Sequence, residues 1–273
     1  MAVARQYGLI AAEDSSPSGL RYDFFYHGDH THSVYVTVES NPRAVSGFAL
    51  PTHGPPRLAI IVDDLGEDLA AARAVLALPF RLTVSVLPHL RYSAEIAEDA
   101  ARGGDQVLLH LPMESRDTHA KPESIELRSG MSQTQVETAL AAMLATVPHA
   151  AGVNNHEGSR ATADPALMTE LMSALHQRGL LFIDSRTTPT TVAYEVAERS
   201  GVPAASRKVF LDDNPARAYI ANQIELAARD AIRDGAAIAI GHPRPETIAA
   251  LAEEVPRLRS RQIRIVFASD LAR

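Results

Sequence analysis

The chain contains no cysteine and no tryptophan, and tyrosine and phenylalanine number only 7 each among 273 residues. Without cysteine there are no disulfides, no thiolate catalysis and no zinc site built on sulfur, so a metal here would have to use His, Asp and Glu. No apolar run approaches the roughly 20 residues of a membrane-spanning helix. The opening stretch MAVARQYGLIAAEDSSPSG lacks the uninterrupted apolar segment of a secretory leader. Lys and Arg total 26 against 33 Asp and Glu, a formal charge of −7, and with no basic stripe nucleic acid is not an expected partner. Neither G-x-G-x-x-G after the first strand nor G-x-x-x-x-G-K-[ST] occurs, which removes the main support for dinucleotide or P-loop binding. What is present is the composition of a globular protein, 46% hydrophobic and 22% charged. A chain of this length buries about three quarters of its unfolded surface and needs no metal merely to fold.

Residues 1–56 read differently from the rest. Two β-rich runs, Tyr22–Tyr26 and Ser33–Val38, flank the polar HGDHTH, which predicts a small hairpin with that hexapeptide as its turn. The following NPRAVSGFALPTHGPP holds four prolines and two glycines in sixteen residues, a linker composition. From residue 57 to 273 short apolar runs alternate with helical patterns, the signature of buried parallel strands and crossover helices. The predicted strands are LAIIVDD (58–64), LTVSVLP (82–88), QVLLHLP (106–112), AAGVNNH (150–156), LLFIDSR (180–186), KVFLDD (208–213), AAIAIGH (236–242) and IRIVFAS (263–269). Helix starts are signalled by Ser132 with Gln135, by Asp164-Pro165 and by Asn214-Pro215. The segment 113–131 is long, polar and without periodicity, so it reads as a loop over a site. The alternation fits either a (β/α) barrel or an open doubly wound sheet.

In both architectures the ligand site lies at the C-terminal strand ends. There the sequence places Asp63 and Asp64, His110 followed by Glu114, Asn154, Asn155 and His156, Asp184 and Arg186, Asp212 and Asp213, and His242. Adjacent carboxylates such as Asp63 and Asp64 repel each other and are best tolerated when a cation holds one of them. Three histidines at equivalent strand ends, His110, His156 and His242, point the same way. Asp164, Asp212 and Asp213 read more simply as helix caps. His30, His32, His119 and His176 read as solvated loop residues. A His/Asp set of this kind suits a divalent ion with a position left for water, and hence a hydrolase.

The ordered motifs IVDDLG, LHLPME, GVNNHEGSR, LFIDSRT, VFLDD and IGHPRPET, spread from about Leu58 to Leu271, resemble the divergent polysaccharide deacetylases, relatives of the NodB-type carbohydrate esterases. The resemblance implies a distorted (β/α) barrel of the glycoside hydrolase/deacetylase type, preceded by the small N-terminal β-hairpin. It also implies a divalent metal, zinc foremost, and hydrolysis of the acyl group of an N-acetylated carbohydrate in a periplasmic or secreted setting. By its pattern Asp63 is the catalytic base, Asp64 a metal ligand and His242 the general acid, with Asp184 orienting that histidine or adding a metal contact. The relatives take two histidines from one H-x-x-x-H motif. Here the matching stretch has His110 and then Glu114, so the third ligand is assigned to His156, with Glu114 as the alternative. Asn154, Asn155 and Ser159 are candidates for sugar hydroxyls, and Arg186 for a substrate carboxylate or for Asp184. Two other classes compete with this reading. One is a carbohydrate-binding or regulatory protein on the same scaffold with little turnover. The other is a metal-free glycosidase using Asp63 and Asp184, which requires their oxygens to lie roughly 5–9.5 Å apart across a cleft.

Overall fold

In the computed structural model the chain divides into two compact units, Met1–Thr52 and His53–Arg273. The structure describes residues 54–117 and 123–273 with their side chains, and the backbone of residues 10–16, 19–26 and 29–36. The first unit is an antiparallel meander of β1 (Ile10–Ser16), β2 (Gly19–Tyr26) and β3 (Asp29–Val36). It is therefore larger than the predicted hairpin. HGDHTH is not a six-residue turn: β3 begins at Asp29 and takes in His30 and His32, opposite Phe25 and Phe24. The linker between residues 41 and 53, His119 and the middle of the 113–131 loop lie outside the described residues.

The second unit runs β4 (Arg57–Leu65), α1 (Leu69–Leu76), β5 (Thr83–Val86), α2 (Ser93–Gly103), β6 (Gln106–Met113), α3 (Gln133–Leu144), β7 (Ala150–Glu157), α4 (Pro165–His176), β8 (Leu181–Asp184), α5 (Ala193–Arg199), β9 (Ala204–Ser206), β10 (Val209–Phe210), α6 (Arg217–Asp234), β11 (Ala236–Gly241), α7 (Pro245–Ser260) and β12 (Arg264–Val266). All strand pairs are parallel, in the row β10-β11-β4-β5-β6-β7-β8-β9, with β12 paired to the start of β4. The two ends of that row, β9 and β10, are joined by Arg207 and Lys208 alone. Three Cα–Cα steps span at most about 11 Å, so the sheet has to curl until its two edge strands come near each other, although no ladder pairs them. That curl selects the distorted barrel over the flat open sheet. Arg207 stitches the seam, its Nε donating to Ser185 O at 2.6 Å and its guanidinium lying 4.8 Å from the Phe210 ring centre.

Curling gives each strand an inner and an outer face, and the apolar residues sort accordingly. Ala59, Ile61, Leu108, Leu181, Ile183, Ile238 and Ile240 form the inner cluster, plugged by Ala268 and Leu271 of the C-terminal segment. Their neighbours Leu58, Ile60, Val62, Leu109 and Phe182 pack outward against the helices. Each such fully buried side chain contributes about 1.5–3 kcal/mol. Both faces being apolar is why these strands read as continuous hydrophobic runs.

The capping signals at two helix starts act as read. Ser132 closes a capping box with Gln135, and Asp164 caps α4 ahead of Pro165. Asn214-Pro215 behaves differently: Asn214 Oδ1 accepts from Ala216 N at 2.9 Å and makes a turn, while α6 starts at Arg217 with Ala216 at its cap. The unread strand, β9, is three residues long and too short to show a pattern.

β7 carries an extra residue opposite β6, with Ala150 and Val153 facing Val107 and Leu109. Gly152 sits within it, and a Cβ there would meet both Cγ and the carbonyl oxygen of Leu181 at 2.4 Å. Gly152→Ala is therefore expected to destabilise the fold by about 1–3 kcal/mol or more, the range of overpacking changes. Urea denaturation of variant and parent checks this, and an unchanged midpoint would show that β8 can shift aside.

Candidate functional site

Continuing the inward register toward the C-terminal strand ends replaces apolar residues with polar ones. Asp63 of β4, Ser85 of β5, His110 of β6, Asn154 and His156 of β7, Ser185 just past β8 and His242 just past β11 all share the inner parity. Strand alternation should send only one of Asp63 and Asp64 inward. A bulge changes that: Val62 and Leu65 of β4 face Val84 and Val86 of β5, one residue too many, and Asp64 takes φ 57°. The bulge re-aims Asp64 so that both carboxylates reach one mouth. Positive φ at non-glycine residues recurs at Glu157 (51°) and Arg186 (48°), also at strand ends around this mouth.

Asp64 Oδ1 lies 3.1 Å from His110 Nε2 and 3.1 Å from His156 Nδ1, and the two nitrogens are 3.1 Å apart. The three atoms form an equilateral triangle whose carboxylate oxygen is buried and makes no hydrogen bond. Among the described residues these are the side chains grouped so that they could hold a metal ion. A tetrahedral ion with ligand distances of about 2.0–2.1 Å spaces its ligands about 3.3 Å apart, so the triangle has the size of one face of such a sphere. A buried carboxylate oxygen without a hydrogen bond, facing two imidazole nitrogens, is the donor set a divalent cation takes, and the residues fit one.

The charges around the triangle reinforce one another. Burial opposes ionisation of Asp64, but His110 and His156 beside it hold its carboxyl well below the usual carboxylate range. Burial likewise opposes the charged form of His110, yet Asp63 and Asp64 push its pKa up to about 9. Asp63, 2% exposed, is raised, chiefly by burial, against the pull of His110. Its Oδ2 is 3.6 Å from His110 Nε2. On the other side His242 Nε2 is 3.6 Å from Asp64 Oδ2, and its ring leans on Phe210 at 5.3 Å.

Several residues expected at the site do other work. Asp184 has the outer parity, next to Phe182; its carboxylate accepts from Arg186 N at 2.8 Å and Thr191 Oγ1 at 2.9 Å. The partner of His242 is instead Asp212, which accepts from His242 Nδ1 (2.9 Å), His242 N (2.8 Å) and Thr247 Oγ1 (2.8 Å). Asp212 is thus not the helix cap its position suggested. The signal that finds it is sheet register: Phe210 pairs with Ile240, which carries Asp212 alongside His242.

Glu114 turns away from the triangle into the 113–131 loop, accepting from Ser129 N at 3.0 Å and facing Arg160 at 3.6 Å. Four residues along a strand is about 13 Å, so the i+4 spacing brings nothing together here. Ser159 is engaged by Arg116 N and Ser115 Oγ. Arg186 is exposed. Asn154 and Asn155 are buried, and their amides are occupied within the protein. Asn155 accepts from Ser185 N at 2.8 Å and donates to Glu157 O at 2.8 Å. Ser85, Ser185, Thr247 and Arg207 are site-forming residues that sequence reasoning passed over, and Asp212 is one that it read as a helix cap.

A family model described as divergent polysaccharide deacetylase matches residues 60–272. The chain belongs to the divergent polysaccharide deacetylase family. It is 42% identical over 195 residues to an uncharacterized protein of Haemophilus influenzae, covering 71% of this chain and 69% of the relative. It is 39% identical over 215 residues to the uncharacterized protein YibQ of Escherichia coli, covering 79% and 67%. A crystal structure of an uncharacterized protein from Agrobacterium tumefaciens superposes with a TM-score of 0.77 at 26% identity, over 82% of this chain and 92% of that one. In this member of the deacetylase family the fold is thus a curled parallel α/β sheet whose mouth holds a triad able to bind a metal.

The Asp212–His242 pair yields a measurable expectation. Burial lowers the His242 pKa, and its hydrogen bond to Asp212, aided by Asp64, carries it above 6.5. A raised folded pKa means that the stabilisation is complete below the unfolded value and fades as pH rises through the folded one. Asp212→Asn should lower the His242 midpoint in an NMR titration of metal-free protein and flatten that limb of the stability curve. An unmoved midpoint would show that Asp64 and Asp63 set it without Asp212.

Proposed function

We propose that the barrel is a metal-dependent hydrolase that removes an acyl group, acetyl foremost, from an N-acetylated carbohydrate. The observation that carries this reading is the 3.1 Å triangle of Asp64 Oδ1, His110 Nε2 and His156 Nδ1 with its orphaned oxygen, placed between a buried carboxylate and a carboxylate-bound histidine. Membership of the deacetylase family supports the carbohydrate amide as substrate. A set of one carboxylate and two imidazoles suits zinc. Bound there, the ion would supply Lewis-acid chemistry, polarising an acyl oxygen and acidifying water.

The protein groups divide the remaining work. Asp63, 3.6 Å from the triad's edge, is the base: burial raises its proton affinity toward that of a useful acceptor, against the opposing pull of His110. His242 is the acid. Asp212 engages its Nδ1, which leaves Nε2 as the nitrogen that faces the mouth and carries the proton for a leaving amine. Asp63 and Asp184 make a poor glycosidase pair, since Asp184 lies on the opposite face of its strand.

Metal analysis of untagged protein is expected to find about one divalent ion per chain, lost in Asp64→Ala, His110→Ala and His156→Ala with the fold retained. Asp63→Asn should keep the ion and lose about 10²–10⁴-fold in turnover of N-acetylglucosamine oligomers, the usual worth of a general base. Stoichiometric metal without turnover on any N-acetylated oligosaccharide would favour the binding-protein reading, and no metal uptake at all would reject the metal-dependent hydrolase.

A further inference from the structure

The two carboxylates on adjacent residues are given different surroundings by one side chain. Asn154 is fully buried, and its amide touches the inward polar group of every neighbouring strand end. Its nitrogen donates to Asp63 Oδ1 at 2.9 Å, to Asp63 Oδ2 at 3.1 Å and to Ser185 Oγ at 3.3 Å. Its oxygen accepts from Ser85 Oγ and faces His110 Nδ1 at 3.1 Å. Facing an ionised carboxylate, which can only accept, the amide must present its nitrogen to Asp63 and its oxygen to His110. His110 then carries its hydrogen on Nδ1 and offers Nε2 to the triangle. Both Asp63 oxygens are spent on the amide, although Oδ2 lies only 3.6 Å from that same Nε2. Among the described residues no other group is hydrogen-bonded to the Asp63 carboxylate.

We infer that Asn154 is the positioning residue that keeps Asp63 out of the metal's coordination sphere, so that Asp64 serves as ligand while Asp63 stays free to act as base. This rests on the metal reading above. Without the amide, a buried carboxylate that has lost its donors lies beside a cation and joins it.

The test uses Co²⁺ alone as probe, bound to the wild type, Asn154→Leu, Asp63→Asn and the double variant Asn154→Leu/Asp63→Asn. Asn154→Leu is expected to raise the coordination number, read as a loss of visible d–d intensity, and the double variant to return the wild-type spectrum. A general structural role for Asn154 would leave its spectral change in place when Asp63 is also replaced. A wild-type spectrum in Asn154→Leu, or a change that persists in the double variant, overturns the assignment. Should Asn154→Leu fail to fold, Asn154→Asp, which keeps the acceptor toward His110 and removes the donors to Asp63, carries the same comparison. Failure of the wild type to bind Co²⁺ would instead reject the metal site itself.

Discussion

Holding Asp63 and Asp64 side by side at one mouth sets the terms for everything around them. Two unit charges about 4 Å apart repel by about 4 kcal/mol at an effective dielectric near 20, and burial of Asp63 adds a desolvation penalty. The surroundings answer that cost with positive and donating groups from separate strands: His110 from β6, His156 and the Asn154 amide from β7, and His242 past β11. None of these is close to another in sequence except on β7. The site is therefore a property of the curled sheet, and it cannot form on any one element.

Closure itself depends on a local fact. Two residues between β9 and β10 are too few to let the row lie open, and Arg207 occupies the seam with bonds to both sides, to Ser185 O and to the face of Phe210. Phe210 in turn supports the His242 ring. The residue that closes the barrel thus also braces the proposed acid. Ser185, whose carbonyl Arg207 holds, presents its hydroxyl to Asn154. Seam and site thus share their supports.

How much of this can be read without coordinates follows from what is local. The strands are legible because burial on both faces makes Leu58–Val62 or Val107–Leu111 continuous apolar runs. The strand-end histidines are legible because their distance from each run sets their parity. The bulge at Asp64 leaves no trace in residue type, since aspartate tolerates left-handed backbone only somewhat better than other residues. Asp212 looks like any aspartate before a helix, and only the register of β10 against β11 assigns it to His242. Asp184, one strand over in sequence, has an equally inviting position and the wrong face. Glu114 was inviting because it stands where the relatives' H-x-x-x-H motif has its second histidine, but here the chain carries it into the 113–131 loop, away from His110. Asn154 and Asn155 read as sugar ligands because amides suit hydroxyls. Burial assigns them instead to the protein's own hydrogen bonding.

The strand order also fixes how the proposed acid is held. The triangle takes its atoms from β4, β6 and β7, whereas His242 follows β11 and Asp212 follows β10. A single general-acid histidine held by a carboxylate can serve the amine only if its free nitrogen points inward, and the bond from Nδ1 to Asp212 enforces that. Asp184, although it too stands at a strand end, lies on the outer face with Phe182 and cannot take over that bond. The chemistry proposed here is thus written in which strand neighbours which, and the curled sheet makes that order.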